Sequence, residues 1–246
     1  MTRRWVTALF ASCLALAGLL RAAPDGAPKP AASASHLPTL TDAQKQAGWK
    51  LLFDGVSPAG WRGLGMDEFP KDLWLIEDGC LHCLGGKKIN DLVTADTYEN
   101  FELTFEWMIP KDKGNSGLKY RVQEKKGDGF AFGPEYQCMQ DPGVEDKNAT
   151  GSLYDVLPPK GKKLMPQGQF NESRLLVKGN HVEHWLNGVK VVEYDFGSDA
   201  LKEAVAKSKF KNHPEWARDP KGHIALQDHH DEVFFRNLKI RELAGK

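Results

Sequence analysis

Glu135 and Gln137 alternate with Tyr136 and Cys138 in the segment FGPEYQCMQD, residues 132–141. On a β-strand successive side chains take opposite faces, so a carboxylate and an amide look one way and two less polar groups the other. GLKYRVQ, residues 117–123, divides likewise, with Leu118, Tyr120 and Val122 opposite Lys119, Arg121 and Gln123. HIALQDH, residues 223–229, sets Ile224 and Leu226 against His223, Ala225, Gln227 and His229. Each strand then has one core face and one polar face, the pattern of an antiparallel sheet covered on one side. A merely wetted sheet face favours Thr, Lys, Glu and Ser. A carboxylate, two cations, amides and imidazoles suit a polyhydroxylated ligand instead, with Glu135 and Gln137 as the floor of its site.

Other groupings of reactive residues carry less. Cys80-Leu-His-Cys83 resembles half a zinc site, but residues three apart on a strand face opposite sides and no second cysteine pair completes it. Cys80, Cys83 and Cys138 therefore read as small buried hydrophobes. His184 shares the face of Val182 and Leu186, the setting of a core histidine more often than of a catalyst. QDHHDE, residues 227–232, crowds ionisable groups at a strand end, where His230 and Asp231 are expected to face solvent. Glu135, His184, Asp228 and His229 include ligand types for a divalent metal, although spacing alone does not assemble them. In GSLYD, residues 151–155, Tyr154 and Asp155 have opposite parity, so one of them would face a groove.

The elements that must position these groups are strands. From Trp49 onward the hydrophobic period is two. FELTFEWMI puts Phe101, Leu103, Phe105, Trp107 and Ile109 on one face. WKLLF, LWLIE, SRLLVKG, HVEHWL, VKVVEY and VFFRNLKI repeat the pattern, and Asn187-Gly188 predicts a type I′ hairpin turn. One helix is expected, from an N-cap at Ser198 or Asp199 through Lys209. No βαβ alternation occurs, which predicts an all-β fold, a jelly-roll sandwich of two antiparallel sheets with one short helix.

Arg3 and Arg4, an apolar run over residues 5–20 and the small pair Ala22-Ala23 predict a secretory signal peptide, residues 1–23. That run is shorter than a membrane span needs and no other approaches it, so no span is expected in the mature chain. Residues 24–44, rich in Ala, Pro and Ser, are expected to form a disordered leader, and residues 45–246 one domain. Lysine plus arginine balance aspartate plus glutamate at 33 each, without a long like-charge block, which argues against a nucleic-acid partner.

GWKLLFDGVSPAGWRG, FELTFEWMIPKDKGNSGLKYRV, GPEYQCMQD, TGSLYDVLPP, FNESRLLVKGNHVEHWLNGVKVVEYDFGS and KGHIALQDHHDEVFFRNLKIREL occur in this order. Together they resemble the 3-keto-disaccharide hydrolase domain family, from about Gly48 to Leu243. The resemblance implies a concanavalin-like jelly roll and export from a bacterial cytoplasm to the periplasm or beyond. It also implies cleavage of glycosides whose C3 hydroxyl an upstream sugar 3-dehydrogenase has oxidised to a ketone.

Such a ketone acidifies the C2 proton. A base can remove it, the glycosidic oxygen then leaves C1, and water can add back to give net hydrolysis. On these grounds Glu135, His229 and Lys119 are the catalytic candidates, with Glu135 first and His229 second as base. Arg121, Gln137, Tyr154, His184 and Gln227 are the candidates for holding substrate, and Lys119 or Arg121 could stabilise an enolate oxygen, alone or through a divalent metal. Two rival readings stand beside this one. Glucanases of the same fold class carry an E-x-D-x-x-E strand, whereas Glu135 is followed at that step by Gln137. A lectin-like module would need no base and would stack sugar on Trp61, Trp74 or Trp216.

Overall fold

The computed structural model describes residues 37–124 and 131–245. The expected signal peptide and residues 24–36 of the expected leader lie outside them. Strands are numbered along the chain. One antiparallel sheet contains β1 (Lys50–Leu51), β3 (Trp74–Glu77), β4 (Cys80–Cys83), β6 (Phe101–Met108), β9 (Asn171–Lys178), β10 (His181–Leu186), β11 (Val189–Asp195) and β13 (Val233–Glu242). Its order is β11-β10-β9-β6-β13-β4-β3, with β1 paired to β13. The other contains β2 (Trp61–Gly63), β5 (Leu92–Thr94), β7 (Asn115–Val122), β8 (Glu135–Met139) and β12 (His223–Leu226), in the order β2-β5-β12-β7-β8.

The period-two pattern explains how the sheets stack. Phe101, Leu103, Phe105 and Trp107 of β6 are fully buried, as are Leu118, Tyr120, Tyr136 and Leu226 of the smaller sheet. The Phe105 ring stands edge-on to Tyr136 with centroids 5.5 Å apart, so the two inner faces meet there. Asn187 and Gly188 both have positive φ, 47° and 79°, as a type I′ turn requires, and close the β10–β11 hairpin with Leu186 opposite Val189. Cys80, Cys83 and Cys138 are free and buried, and burial pushes their thiols up, Cys80 to about 11. Among the described residues no helix is long and apolar enough to cross a membrane.

Three expectations need correction. Residues 37–44 are not disordered: Pro38 is buried, and Thr41 caps a short helix, α1 (Asp42–Gln46). Thr41 Oγ1 accepts from the Gln44 amide while Gln44 Oε1 accepts from the Thr41 amide, a capping box that overrides the local composition. The predicted helix is shorter than expected, α2 (Asp199–Ala206). Ser208 stops it, since its hydroxyl donates to the Val205 carbonyl and accepts from Phe210 N–H, starting a separate 3-10 turn over Lys209–Asn212.

The third concerns β7. Ala225 of β12 faces Lys119, but His223 faces Val122, so two residues lie between the paired positions on β7 and one on β12. This bulge turns Arg121 to φ 52° and reverses the alternation beyond it. Val122 consequently joins Val93 and Ala225 in a small apolar cluster, away from the main core.

Candidate functional site

The register of the smaller sheet sets side chains in rows. Arg62, Val93, Ala225, Lys119 and Glu135 are successive partners across β2, β5, β12, β7 and β8, which puts Lys119 directly beside Glu135. The small Ala225 leaves Lys119 room to lie along the sheet. Two residues further along β7, Gly117 pairs with Gln137 and its carbonyl accepts from Gln227 N–H. A Cβ on Gly117 would lie 2.5 Å from Glu135 Oε1, so the absent side chain is what allows the Glu135 carboxylate to lie there.

These rows form the floor of a pocket of about 270 Å³. Lys119, Glu135, Gln137, Tyr154, Gln227 and His229 all line it, so six of the eight sequence-predicted residues converge. Asn115 and Ala131–Gly133 complete the wall, and the 3-10 turn adds Lys209 and Phe210. Tyr154, not Asp155, takes the groove side. Asp155 pairs with Lys147 at 2.7 Å and accepts from Lys209 N–H.

Beneath the floor lies Asp91, fully buried. Its Oδ2 accepts from Lys119 Nζ at 3.1 Å and from Ala131 N–H, and its Oδ1 from Asp228 N–H. The pair holds the Lys119 ammonium at the pocket floor with a partner below and Glu135 at its side. Glu135 is nearly as buried, and no described residue donates a hydrogen bond to its carboxylate. Burial drives its pKa up, and the nearby Lys119 and Lys209 ammoniums oppose this only in part. Burial likewise lowers Lys209, whose ammonium sits 4.1 Å from the Tyr154 ring centre. Gln137 donates to Asn115 Oδ1 at 3.0 Å, but Gln137 Oε1 and Gln227 Oε1 are buried acceptors with no hydrogen-bond partner among the described residues. Buried acceptors are normally satisfied, so these two oxygens have capacity left for donors.

Two predicted residues lie elsewhere. The bulge carries Arg121 out of the row, and its guanidinium lies 3.9 Å from the Phe196 ring centre while donating to the Gly179 carbonyl. His184 is fully buried between the sheets, with Nδ1 at 3.0 Å from the Gly151 carbonyl and Nε2 at 3.0 Å from Tyr120 Oη. Burial lowers its pKa to about 4. The possible metal quartet is therefore not assembled, since His184 sits in the core and Asp228 accepts from the Asn90 and His230 backbone amides. Among the described residues one carboxylate–imidazole group could reach an ion together, His181 with Glu183 and Glu193, but Lys190 already bridges both glutamates. Trp61 and Trp74 are buried with their indole N–H groups bonded to backbone carbonyls, which removes them as stacking platforms.

Strand parity had no means of finding Asp91, Gly117 or Lys209. Asp91 precedes a strand by one residue, Gly117 matters for what it lacks, and Lys209 comes from a distant turn. The Ser208 cap was the one local signal for that turn.

Residues 48–241 match the model of the 3-keto-α-glucoside-1,2-lyase-like domain. A 3-keto-disaccharide hydrolase of Bacteroides thetaiotaomicron is 32% identical over 231 residues, covering 80% of this chain and 79% of that one. A crystal structure from Parabacteroides distasonis, provisionally assigned as a glycosyl hydrolase, superposes with TM-score 0.78 at 33% identity, covering 85% of this chain and 100% of that one. A second such protein from the same organism gives TM-score 0.54 at 25% identity, covering 74% and 99%.

Proposed function

The chain belongs to the family of the 3-keto-α-glucoside-1,2-lyase-like domain, and from that premise we propose that it cleaves the glycosidic bond of 3-keto glycosides, with Glu135 as the base. The observation that carries this reading is a buried carboxylate that receives no hydrogen bond from a described residue, set beside a lysine in a pocket with two amide oxygens that also lack a partner among the described residues.

A carbon acid needs a strong, desolvated base, and a carboxylate whose pKa is raised by burial is one. Glu135 takes the C2 proton and the electron pair moves onto the C3 oxygen as an enolate. Lys119, held by Asp91, stabilises that oxyanion, assisted by Lys209. The enolate then re-forms the C3 ketone, a C1–C2 double bond forms, and the C1–O bond breaks with its electrons on the leaving oxygen. His229, at the pocket rim and without a hydrogen bond to any described residue, supplies that oxygen's proton. Addition of water then places hydroxide at C1, with the water's other proton restoring His229, while Glu135 returns its proton to C2, which completes a hydrolysis. Gln137, Gln227 and Tyr154 hold the sugar hydroxyls.

A two-carboxylate glycosidase mechanism is less well supported. Among the described residues Glu135 is the one carboxylate lining the pocket, and Asp91 below it is occupied by three donors. The substrate's ketone must come from an oxidoreductase acting at C3. We place the reaction outside the cytoplasm, because residues 1–23 have the composition of a signal peptide.

The deciding experiment incubates the purified protein with a 3-keto glycoside and its unoxidised parent, following products by mass. Consumption of the keto sugar alone, slowed by deuterium at C2, is the expected result. Equal turnover of the parent would favour ordinary glycosidase chemistry, and binding of both without turnover a carbohydrate-binding module.

A further inference from the structure

The bulge that removes Arg121 from the sugar pocket delivers it to a second cavity of about 540 Å³, between α2, the segment following the 3-10 turn and β7. Several features place the side chain there. Arg121 takes a left-handed backbone that disfavours a side-chain residue, and Gly222 packs so closely on that backbone that a Cβ would collide with it. The guanidinium then stacks on Phe196 and gives one N–H to the Gly179 carbonyl.

What it lacks is an anion. Arg121 is 4% exposed, and it forms no ion pair with a described residue. Its Nε is buried without an acceptor among the described residues. Burial lowers its pKa, the direction expected of a cation with insufficient counter-charge. A guanidinium removed from water is expected to be paired. Trp216 repeats the deficiency: it lines the same cavity, is 8% exposed, and its indole Nε1 has no acceptor among the described residues either.

The rest of the lining agrees. Among the described residues it includes Lys202, Lys211 and Arg218 and no carboxylate. Lys202 and Arg218 have surface partners in Asp199 and Asp219, while Lys211 pairs with no described residue. Phe196, Leu201, Val205 and Trp216 supply an apolar wall.

We propose that this cavity binds a small organic anion, a carboxylate carried on a flat apolar body. The carboxylate provides the charge that Arg121 lacks and the acceptor that Trp216 Nε1 lacks, and the body lies against the apolar wall. Neither requirement comes from the sugar chemistry, so this site stands or falls independently of the keto-glycoside reading.

The test is isothermal titration of the whole protein with 2-naphthoate and with the neutral 2-naphthylmethanol. Naphthoate should bind at one site and more tightly than the alcohol by about tenfold or more, as expected for a charge-assisted hydrogen bond to a desolvated guanidinium. Arg121→Met should abolish that preference, and Lys211→Glu should weaken naphthoate by roughly threefold through a solvent-exposed charge. Glu135→Gln should leave naphthoate binding unchanged. If Arg121→Met fails to fold, the exposed pair Lys202→Glu and Lys211→Glu decides, with a loss of about tenfold expected from the summed charge reversal. Equal affinity for acid and alcohol, no binding of naphthoate, unchanged binding in the charge variants, or loss of binding in Glu135→Gln would each overturn the proposal.

Discussion

Two buried polar clusters lie on the two faces of the smaller sheet. On the inner face, His184 is bonded to Tyr120 and Gly151, Tyr120 to Tyr194, and Tyr136 to Ser173 and the Trp185 carbonyl. Trp107 Nε1 completes this network by donating to Ser173 Oγ at 2.9 Å. On the outer face, no described residue donates a hydrogen bond to the Glu135 carboxylate, and the side-chain oxygens of Gln137 and Gln227 have no partner among the described residues. Both clusters are buried and both contain titratable groups. They differ in saturation. A satisfied network fixes one packing of the two sheets, while unmet valences beside a pocket are available to a ligand.

Glu135→Gln gives the sharpest test of that distinction. Turnover of a 3-keto glycoside should fall on the order of 10²–10⁴, the range for loss of a general base. Stability should not fall with it. Because burial raises the Glu135 pKa, the folded protein retains this proton at pH values where the unfolded chain, near pKa 4.3, has released it. Stability therefore declines as pH rises above that value until the folded carboxylate ionises, and a neutral glutamine escapes the loss. Thermal melting at pH 7 should place the variant at or above the wild type, and a large drop would make Glu135 structural. The same shift puts the acidic limb of the wild-type rate profile above the usual carboxylate range, with activity lost as pH falls through it.

Lys119→Met tests the residue that joins the open pocket to a closed ion pair. It strands the fully buried Asp91, which should cost about 3–5 kcal/mol in urea unfolding as well as turnover. His184→Leu should do the reverse of Glu135→Gln. Stability falls by about 1–3 kcal/mol as the Gly151 carbonyl loses its partner and Tyr120 one of its two, while kcat of the folded protein is retained. Its folded pKa near 4 means that wild-type stability from the neutral imidazole is full above about 6.5 and is lost as pH falls towards 4, a dependence the variant should lack. Gln227→Leu should have the smallest effect on folding, within about 0.5 kcal/mol in the same unfolding assay, because no described group bonds its side-chain oxygen. KM should nevertheless rise, by about tenfold if one hydroxyl contact is lost.

Much of this was legible in the chain. Alternation in FELTFEWMI and EYQCM determined which side chains face the core, Asn187-Gly188 determined a hairpin, and parity brought Lys119, Glu135, Gln137, Gln227 and His229 to one face. These are local properties, since a strand alternates whatever it pairs with. The capping box at Thr41 was legible too, though the surrounding Ala, Pro and Ser pointed elsewhere. What only the tertiary structure decided depends on neighbours. The bulge that sends Arg121 to another cavity exists because β12 supplies one residue where β7 supplies two, and register is a property of a pair of strands. Parity set His184 with Val182 and Leu186 on the core face of β10, but it did not identify its partners across the sandwich, Tyr120 Oη and the Gly151 carbonyl. Asp91 under Lys119, Lys209 over Tyr154 and the space above Gly117 join residues far apart in the chain, where contact is determined by packing and not by periodicity.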